Sequence, residues 1–224
     1  MRYINMEEQS RELPEECWET VFKHLIQPSH WKSVSLACRQ FLHISNCLRP
    51  SLRISTSFGI SGDLPRILKR FQGLQEIDLN NFHGNLAQMI LDIAHLGLQL
   101  KVLCLQGQKS LLLEAIAELG KNCRNLRSLN CLKFHFLEDE DLFAIAEAFP
   151  YLEELDISCP ELGFRSPQVL FTAFDASLYP GTITDVGIET LATQLHNLKV
   201  INVAGNFFLC LIEVYGLYLW VVYI

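Results

Sequence analysis

A six-residue frame, apolar–x–x–apolar–x–apolar, recurs along the chain at a constant interval. The first four copies begin at Leu74, Leu100, Leu126 and Leu152, which are 26 residues apart, and a fifth begins at Leu198. A fixed period of this length indicates a repeat protein, in which each unit buries its apolar face against the next one. Such arrays offer a long surface to another macromolecule, so the period favours a binding protein.

Each frame is preceded by apolar positions that share one face of a helix. The residues ten, seven, six and three positions before each frame are all apolar or glycine, at the spacing i, i+3, i+4, i+7. They are Leu64, Ile67, Leu68, Phe71; Ile90, Ile93, Ala94, Gly97; Ile116, Leu119, Gly120, Cys123; Leu142, Ile145, Ala146, Phe149; and Ile188, Leu191, Ala192, Leu195. The third position is small in four of the five sets, which predicts that each helix packs closely on its own strand. The pattern predicts an α/β leucine-rich-repeat solenoid, with parallel strands on one side and helices on the other.

The frame residues that lie between the apolar positions are predicted to face solvent and to form the binding surface. They are Gln75, Glu76, Asp78; Lys101, Val102, Cys104; Arg127, Ser128, Asn130; Glu153, Glu154, Asp156; and Lys199, Val200, Asn202. The candidates for target binding are Glu76, Asp78, Lys101, Arg127, Asn130, Glu154, Asp156 and Lys199. Because their charges alternate in sign and form no basic stripe, nucleic acid is not expected as a partner.

Composition narrows the class of protein and its compartment. The 224 residues are 50% hydrophobic and carry a formal net charge of −7, which suits a packed core and disfavours nucleic acid and acidic membranes as general partners. The eight cysteines form no C-x-x-C pair and no disulfide framework, and no signal peptide opens the chain. A cytoplasmic or nuclear location is therefore expected.

A different module precedes the repeats, in the segment that begins at Leu13. Pro14, followed by two glutamates, is typical of a helix start, and Pro28 is predicted to stop that helix before Ser29 caps the next. Two apolar stripes, Cys17, Trp18, Val21, Phe22, Leu25 and then Trp31, Val34, Leu36, Cys38, Phe41, indicate two or three short helices. A unit of about 40 residues is at the limit of independent stability, so some of these side chains are expected to pack on a partner or on the first repeat.

This segment resembles an F-box. The matching residues are Leu13-Pro14 with Glu16, the Val21-Phe22 pair, Leu25, Trp31 and the run Leu36-Ala37-Cys38-Arg39 that ends in Phe41. It departs from the family in Ser29-His30, where an acidic residue is usual, and in Phe41, where Trp is common. The later run ITDVGIETLA, from Ile183 to Ala192, is similar to the signature of Cys-containing 26-residue leucine-rich repeats.

F-box and leucine-rich-repeat proteins serve as substrate-receptor subunits of Skp–cullin–F-box ubiquitin ligases. The resemblance thus implies a Skp-type adaptor as partner, a cullin bound through it, and a target protein held by the repeats. It also implies adaptor contacts at Leu13, Pro14, Val21, Phe22, Leu25, Trp31 and Phe41.

No motif for catalysis or cofactor binding is visible in the sequence. The acidic run from Glu138 to Asp141 is interpreted as a solvated helix start, because negative charge is stabilised there. Only Cys131 and His135 approach metal-ligand spacing, and a zinc site needs about four ligands. We therefore expect no catalytic, cofactor or metal residue and no enzymatic activity.

The predicted domains are an N-terminal extension over 1–10, an F-box over 11–53, repeats over 54–206 and a hydrophobic tail over 207–224. About 20 surplus residues near 160–180, which include three prolines and the aromatic residues Phe164, Phe171 and Phe174, are expected to leave the solenoid as a loop. The loop is expected to tuck back onto the repeats, and recognition is the alternative.

The tail has one charge, Glu213, in 18 residues. It is interpreted as the end of a truncated or alternative product, with a membrane anchor as the second choice. The alternative function is a non-catalytic leucine-rich-repeat scaffold, with or without membrane tethering through this tail.

Overall fold

The chain divides into two compact units in the computed structural model, which describes residues 13–25, 28–54, 64–108, 111–134, 136–159, 183–204, 206 and 220–221. The first unit comprises Met1–Arg49 with Arg70–Gly73, and the second comprises Pro50–Lys69 with Leu74–Ile224. The predicted boundary at residues 53 and 54 differs from this division, because the strand Ser51–Arg53 pairs with the repeats.

The described part of the first unit contains three short helices, α1 (Glu15–Lys23), α2 (Pro28–Ser35) and α3 (Arg39–Leu48). Pro14 precedes α1 in an extended conformation, and Glu15 and Glu16 occupy the first turn, where carboxylates favour the positive end of the helix dipole. The prediction that Ser29 caps the second helix was wrong, because that helix begins one residue earlier. Pro28 begins α2, because its fixed φ suits the first helical position and the N–H it lacks has no partner there.

The second unit alternates strands and helices. The strands are β1 (Ser51–Arg53), β2 (Glu76–Asp78), β3 (Val102–Cys104), β4 (Ser128–Asn130), β5 (Glu154–Asp156), β6 (Val200–Asn202) and β7 (Trp220–Val221). The helices are α4 (Leu64–Leu68), α5 (Leu86–His95), α6 (Leu113–Asn122), α7 (Asp139–Ala148) and α8 (Asp185–Gln194). The seven described strands form one parallel sheet in chain order, so the predicted α/β architecture of parallel strands and helices is confirmed.

Register in the sheet follows the sequence period. Ile77 pairs with Leu103, and the same step of 26 residues leads to Leu129 and Leu155. The next step, from Leu155 to Ile201, is 46 residues long, yet β5 and β6 are direct parallel neighbours. The two strands are therefore paired although the sequence between them is 20 residues longer than the period.

Apolar residues of the frames and of the preceding helices form the core. Every inward position of the five frames is buried, from Leu74 to Val203. Most of the predicted helix positions are buried as well, but Gly97 is exposed and has φ 64°. Gly97 follows the end of α5 and adopts the left-handed conformation that ends many helices, which glycine tolerates because it has no Cβ.

At Gly120, which is one of the small third positions, the nearest atoms are not those of the predicted strand. A Cβ added at Gly120 would lie 2.6 Å from Ala148 Cβ and 2.7 Å from the Ala148 Cα and carbonyl oxygen. Ala148 belongs to the last turn of the next helix, α7. At Gly120 the room is therefore limited by contact between neighbouring helices, not by contact between the helix and its own strand.

Both ends of the 46-residue step are held by hydrogen bonds to the array. The N–H of Cys159 donates to the carbonyl oxygen of Ala204 at 2.8 Å. The N–H and hydroxyl of Thr184 donate to the two carboxylate oxygens of Asp139, at 2.8 and 2.6 Å, across 45 residues of sequence. The predicted loop near 160–180 lies outside the described residues, as does the predicted tail over 207–224 apart from β7.

Candidate functional site

Four aromatic rings hold the three N-terminal helices together. Phe22 of α1 is 2% exposed, and its ring centroid lies 5.1 Å from Phe41 of α3 and 6.3 Å from Trp31 of α2, both nearly edge-on. Trp18 lies 4.7 Å from Phe41. The indole N–H of Trp31 donates to the Leu25 carbonyl oxygen at 2.9 Å. These contacts give the small unit its core, since aromatic side chains bury large areas and favour tilted pairs.

This core divides the predicted adaptor contacts into an outer and an inner group. Leu13 and Val21 are each 49% exposed, and Pro14 is exposed as well. Leu25, Trp31 and Phe41 are half-buried, whereas Phe22 is buried. Val21 and Phe22 are consecutive, so their side chains point about 100° apart on the helix and only one of them can enter the core. The structure therefore gives Phe22 a packing position and leaves Val21 at the surface.

Two further apolar side chains are exposed on the same unit. Leu36 is 78% exposed, and Leu42 of α3 is exposed too. Leu36 lies in the turn after α2, although the sequence pattern includes it in an apolar helical stripe. Because α2 ends before Leu36, this residue does not share the apolar face of the helix. The spacing of the apolar residues did not predict where the helix ends. The exposed apolar set of this unit, which we call the N-terminal apolar surface, is Leu13, Val21, Leu36 and Leu42.

The solvent-facing side of the repeat sheet is organised in three rows that run across the strands. The first row, just before each strand, is Gln75, Lys101, Arg127, Glu153 and Lys199. The middle row is Glu76, Val102, Ser128, Glu154 and Val200, and the third row is Asp78, Cys104, Asn130, Asp156 and Asn202. Members of a row are neighbours in the register of the sheet, at the ~4.8 Å spacing of adjacent strands.

In four of the five repeats, the third-row side chain accepts a hydrogen bond from the turn that follows its strand, so it is not free for a partner. The carboxylate of Asp78 accepts the N–H of Asn80 at 2.9 Å, and Asn130 accepts the N–H of Leu132 at 3.0 Å. Asp156 and Asn202 accept in the same way from the residue two positions later. Asp and Asn favour this local turn because their side chains reach the backbone two residues on. Asp or Asn at the fifth frame position in four of five repeats was the sequence signal for it.

Three of the predicted target-binding residues, Asp78, Asn130 and Asp156, therefore have a structural role. The prediction that Asp78 faces solvent was wrong, since it is 8% exposed and its carboxylate also accepts Arg53 Nε at 2.5 Å. Both carboxylate oxygens of Asp78 accept hydrogen bonds within the array. Oδ1 of Asp156 accepts hydrogen bonds from the N–H and the hydroxyl of Ser158.

Cys104 is the one member of the third row without a carboxylate or amide. The N–H that such a group would accept belongs to Gln106, and it donates instead to Asn80 Oδ1 of the preceding repeat at 3.1 Å. Burial, with Asp78 and Glu76 nearby, raises the pKa of the Cys104 thiol to about 11. The thiol is therefore uncharged at neutral pH. It occupies the position that Asp or Asn has in the other four repeats.

Ion pairs occupy much of the first row. Glu153 lies 3.8 Å from Arg127 Nε, and its other carboxylate oxygen accepts from Lys199 Nζ. The hydrogen bond from Lys199 lowers the pKa of Glu153. Arg127 also donates to the Tyr151 carbonyl oxygen at 2.9 Å and lies over the Tyr151 ring. Glu153, which was not among the target-binding candidates, thus links two of them, Arg127 and Lys199.

The remaining candidates are Lys101, Glu76 and Glu154. Lys101 and Glu154 are exposed and Glu76 is half-buried. Within the described residues, these side chains form no ion pair with one another or with a neighbour. Their charges are therefore available to a partner molecule.

The acidic run at the start of α7 takes part in local structure. The N–H of Glu138 donates to Asp141 Oδ2 at 3.0 Å, and Asp139 holds Thr184. Burial raises the pKa of Asp141, and the Glu138 hydrogen bond opposes that shift. Cys131 is buried, which raises the pKa of its thiol far above the ordinary value, and His135 lies outside the described residues.

The described residues contain no group of three or more His, Cys, Asp or Glu side chains that could hold a metal ion. Among the helices in the described part of the chain, none combines the length and the hydropathy needed to span a bilayer.

Comparison with known proteins shows similarity to a distant relative. The chain is 24% identical over 219 residues to a protein of Arabidopsis thaliana described as F-box/LRR-repeat protein 12. The alignment covers 89% of this chain and 42% of the plant protein, so the chain spans less than half the length of that relative. No protein-family model matches the chain. The similarity supports a distant relationship to F-box and leucine-rich-repeat proteins, in agreement with an α/β repeat array that follows a small helical unit.

Proposed function

We propose that the chain is a substrate-recognition subunit of a Skp–cullin–F-box ubiquitin ligase. The observation that carries the proposal is the similarity to an F-box/LRR-repeat protein over 89% of the chain. That share is larger than the repeat unit, so the similarity includes residues of the N-terminal helices as well. In this role the helices bind a Skp-type adaptor, the adaptor binds a cullin, and the repeats bind a target protein.

The N-terminal apolar surface supports the adaptor role. Leu13 and Val21 are half exposed although the unit has a well-packed aromatic centre around Phe22. Exposed aliphatic side chains beside a closed core favour contact with another protein, because burial of about 25 cal/mol per Å² of apolar area is gained on binding. A few such anchors commonly dominate an interface.

The repeat sheet supports the target-binding role. Its middle row presents side chains of five neighbouring strands to solvent, and it includes Glu76 and Glu154, whose carboxylates form no ion pair with any described residue. A chain that carries two binding surfaces raises the effective concentration of the target near the transfer machinery. The protein itself catalyses nothing in this proposal, since the other subunits transfer ubiquitin.

The same proposal places the protein in the cytosol or nucleus. The seven cysteines of the described residues are free thiols, and Cys123 and Cys131 are part of the repeat core. A reduced cysteine in such a position packs as a small apolar side chain, which suits a reducing compartment.

Co-purification with a recombinant Skp-type adaptor tests the proposal. We expect the wild-type chain to retain the adaptor, and the double variant Leu13→Ala, Val21→Ala to lose most of it. Phe22→Ala is unsuitable as the test, because removal of a buried ring at the centre of the unit costs about 3–5 kcal/mol and unfolds the helices. Circular dichroism of the Leu13 and Val21 variant checks that its helices remain.

Leu112→Ala is the matched control, because Leu112 is 46% exposed and lies on the repeat unit. It should bind the adaptor like the wild type. Absence of adaptor binding by folded wild-type protein refutes the ligase role, and equal binding by the Leu13 and Val21 variant refutes the assignment of the surface.

A further inference from the structure

The charges on the repeat sheet are separated along the strand direction. The first row carries three cations, Lys101, Arg127 and Lys199, and one carboxylate, Glu153. The middle and third rows carry four carboxylates and no cation. The carboxylates are Glu76, Asp78, Glu154 and Asp156. The sheet face is therefore positive where the strands begin and negative where they run and end.

Within the described residues, ion pairing leaves three of the four carboxylates on the negative side without a cation. In the first row, Glu153 is shared by Arg127 and Lys199. On the negative side, Arg53 of β1 neutralises Asp78. For Glu76, Glu154 and Asp156, the described residues supply no cation within ion-pair distance. A complementary partner must therefore bring positive charge to the middle and third rows.

In the middle row, each carboxylate is followed on the next strand by a valine. In strand order it runs Glu76, Val102, Ser128, Glu154, Val200, and Val200 is among the exposed large apolar residues. Glu76 and Glu154 are three strands apart, or ~14 Å at the spacing of adjacent strands. Val102 and Val200 are separated by the same number of strands. An extended peptide covers ~14 Å in about four residues.

We infer that the repeat sheet binds a basic segment of its partner protein, which lies across the strands over the middle row, with lysine or arginine side chains against Glu76 and Glu154 and apolar side chains against Val102 and Val200. The inference rests on the proposed function and specifies the chemistry of the target. The cationic first row repels such a segment and so fixes its position along the strands, since like charges suppress the wrong placement.

A random library of 16-residue peptides displayed on phage, selected on the full chain, tests this inference. We expect the selected peptides to be enriched in Lys and Arg over the starting library, with apolar residues between the basic ones. Their binding should weaken as salt rises, because exposed charge pairs are screened. Enrichment of Asp and Glu, or no charge preference, overturns the inference.

The best basic peptide is then measured against two double variants of equal charge. Glu76→Gln with Glu154→Gln should weaken binding by about tenfold, as expected for the loss of two exposed charge pairs. Glu147→Gln with Glu189→Gln changes exposed carboxylates on α7 and α8 and should leave binding unchanged. Equal loss in both variants shows a net-charge effect only and overturns the assignment to the middle row. Adaptor co-purification is independent of these residues, so failure of this inference is distinguishable from failure of the ligase role.

Discussion

The closeness of neighbouring repeat helices can be tested at Gly120, where two physical effects oppose each other. Gly120 lies within α6, and glycine inside a helix is about 1 kcal/mol less favourable than alanine. Helix propensity alone therefore predicts that Gly120→Ala raises the free energy of unfolding. The contacts at this position predict the reverse.

A Cβ at Gly120 would lie 2.6–2.7 Å from three atoms of Ala148, two of which, the Cα and the carbonyl oxygen, belong to the backbone. Backbone atoms cannot turn aside as a flexible side chain can, so α7 must move away from α6. Overpacking of this kind costs about 1–3 kcal/mol, and contacts this short place the cost near the upper end. After the gain in helix propensity is subtracted, we expect Gly120→Ala to lower the free energy of unfolding by about 1–2 kcal/mol.

Urea unfolding followed by circular dichroism measures this change. Ala117→Gly is the matched control, because Ala117 is an exposed position of the same helix and reports helix propensity alone, with an expected loss of about 1 kcal/mol. Ala148→Gly combined with Gly120→Ala removes one of the three short contacts, so it should recover part of the loss. A gain in stability for Gly120→Ala that mirrors the Ala117→Gly loss would refute the close approach of α6 and α7.

Two further predictions concern thiols and the link between distant repeats. Cys17 and Cys38 are exposed, so iodoacetamide should modify them before Cys104 and Cys123, whose pKa values are each raised to about 11. A rise from pH 8 to pH 10 should speed the modification of Cys104 and Cys123. Mass spectrometry follows the modification, and equal rates at all four cysteines would contradict this prediction. Asp139→Ala and Thr184→Val should each reduce stability, because the Thr184 hydroxyl donates a 2.6 Å hydrogen bond to the Asp139 carboxylate. A double-mutant cycle should give a coupling energy of about 1 kcal/mol or more between the two side chains. Strictly additive losses of stability would rule out that contact.

The core of the repeats could be predicted from sequence because a period fixes which side chains enter it. Equivalents of Ile116 on the helix and of Leu129 on the strand occur in every repeat at a constant separation. Burial at both positions follows from helix and strand geometry. The offset does not say which neighbour a buried residue meets. Gly120 was therefore assigned a strand as its neighbour, whereas the structure shows a helix.

The polar side of the sheet was harder to predict because alternation along a strand separates inward from outward residues and says nothing about hydrogen bonds. Asp156 and Glu154 are both outward positions, but Asp156 holds the turn at Ser158 whereas Glu154 is exposed. The difference lies in side-chain length, since the shorter carboxylate reaches the N–H two residues on. In the N-terminal unit, the apolar pattern could not tell Val21 from Phe22, because that choice depends on rings supplied by other helices.

The break in the sequence period does not interrupt the surface on which the proposed recognition depends. Each of the strands β2 to β6 is three residues long, so it offers two outward side chains, and the second of these accepts a hydrogen bond from the following turn in four repeats. In the proposed recognition, one middle-row residue per repeat contacts the partner, so the strength of binding depends on how many strands lie side by side. Glu154 and Val200 remain direct neighbours in the sheet although 46 residues separate them in sequence. The middle row is therefore continuous in the sheet from Glu76 to Val200, across the break in the sequence period.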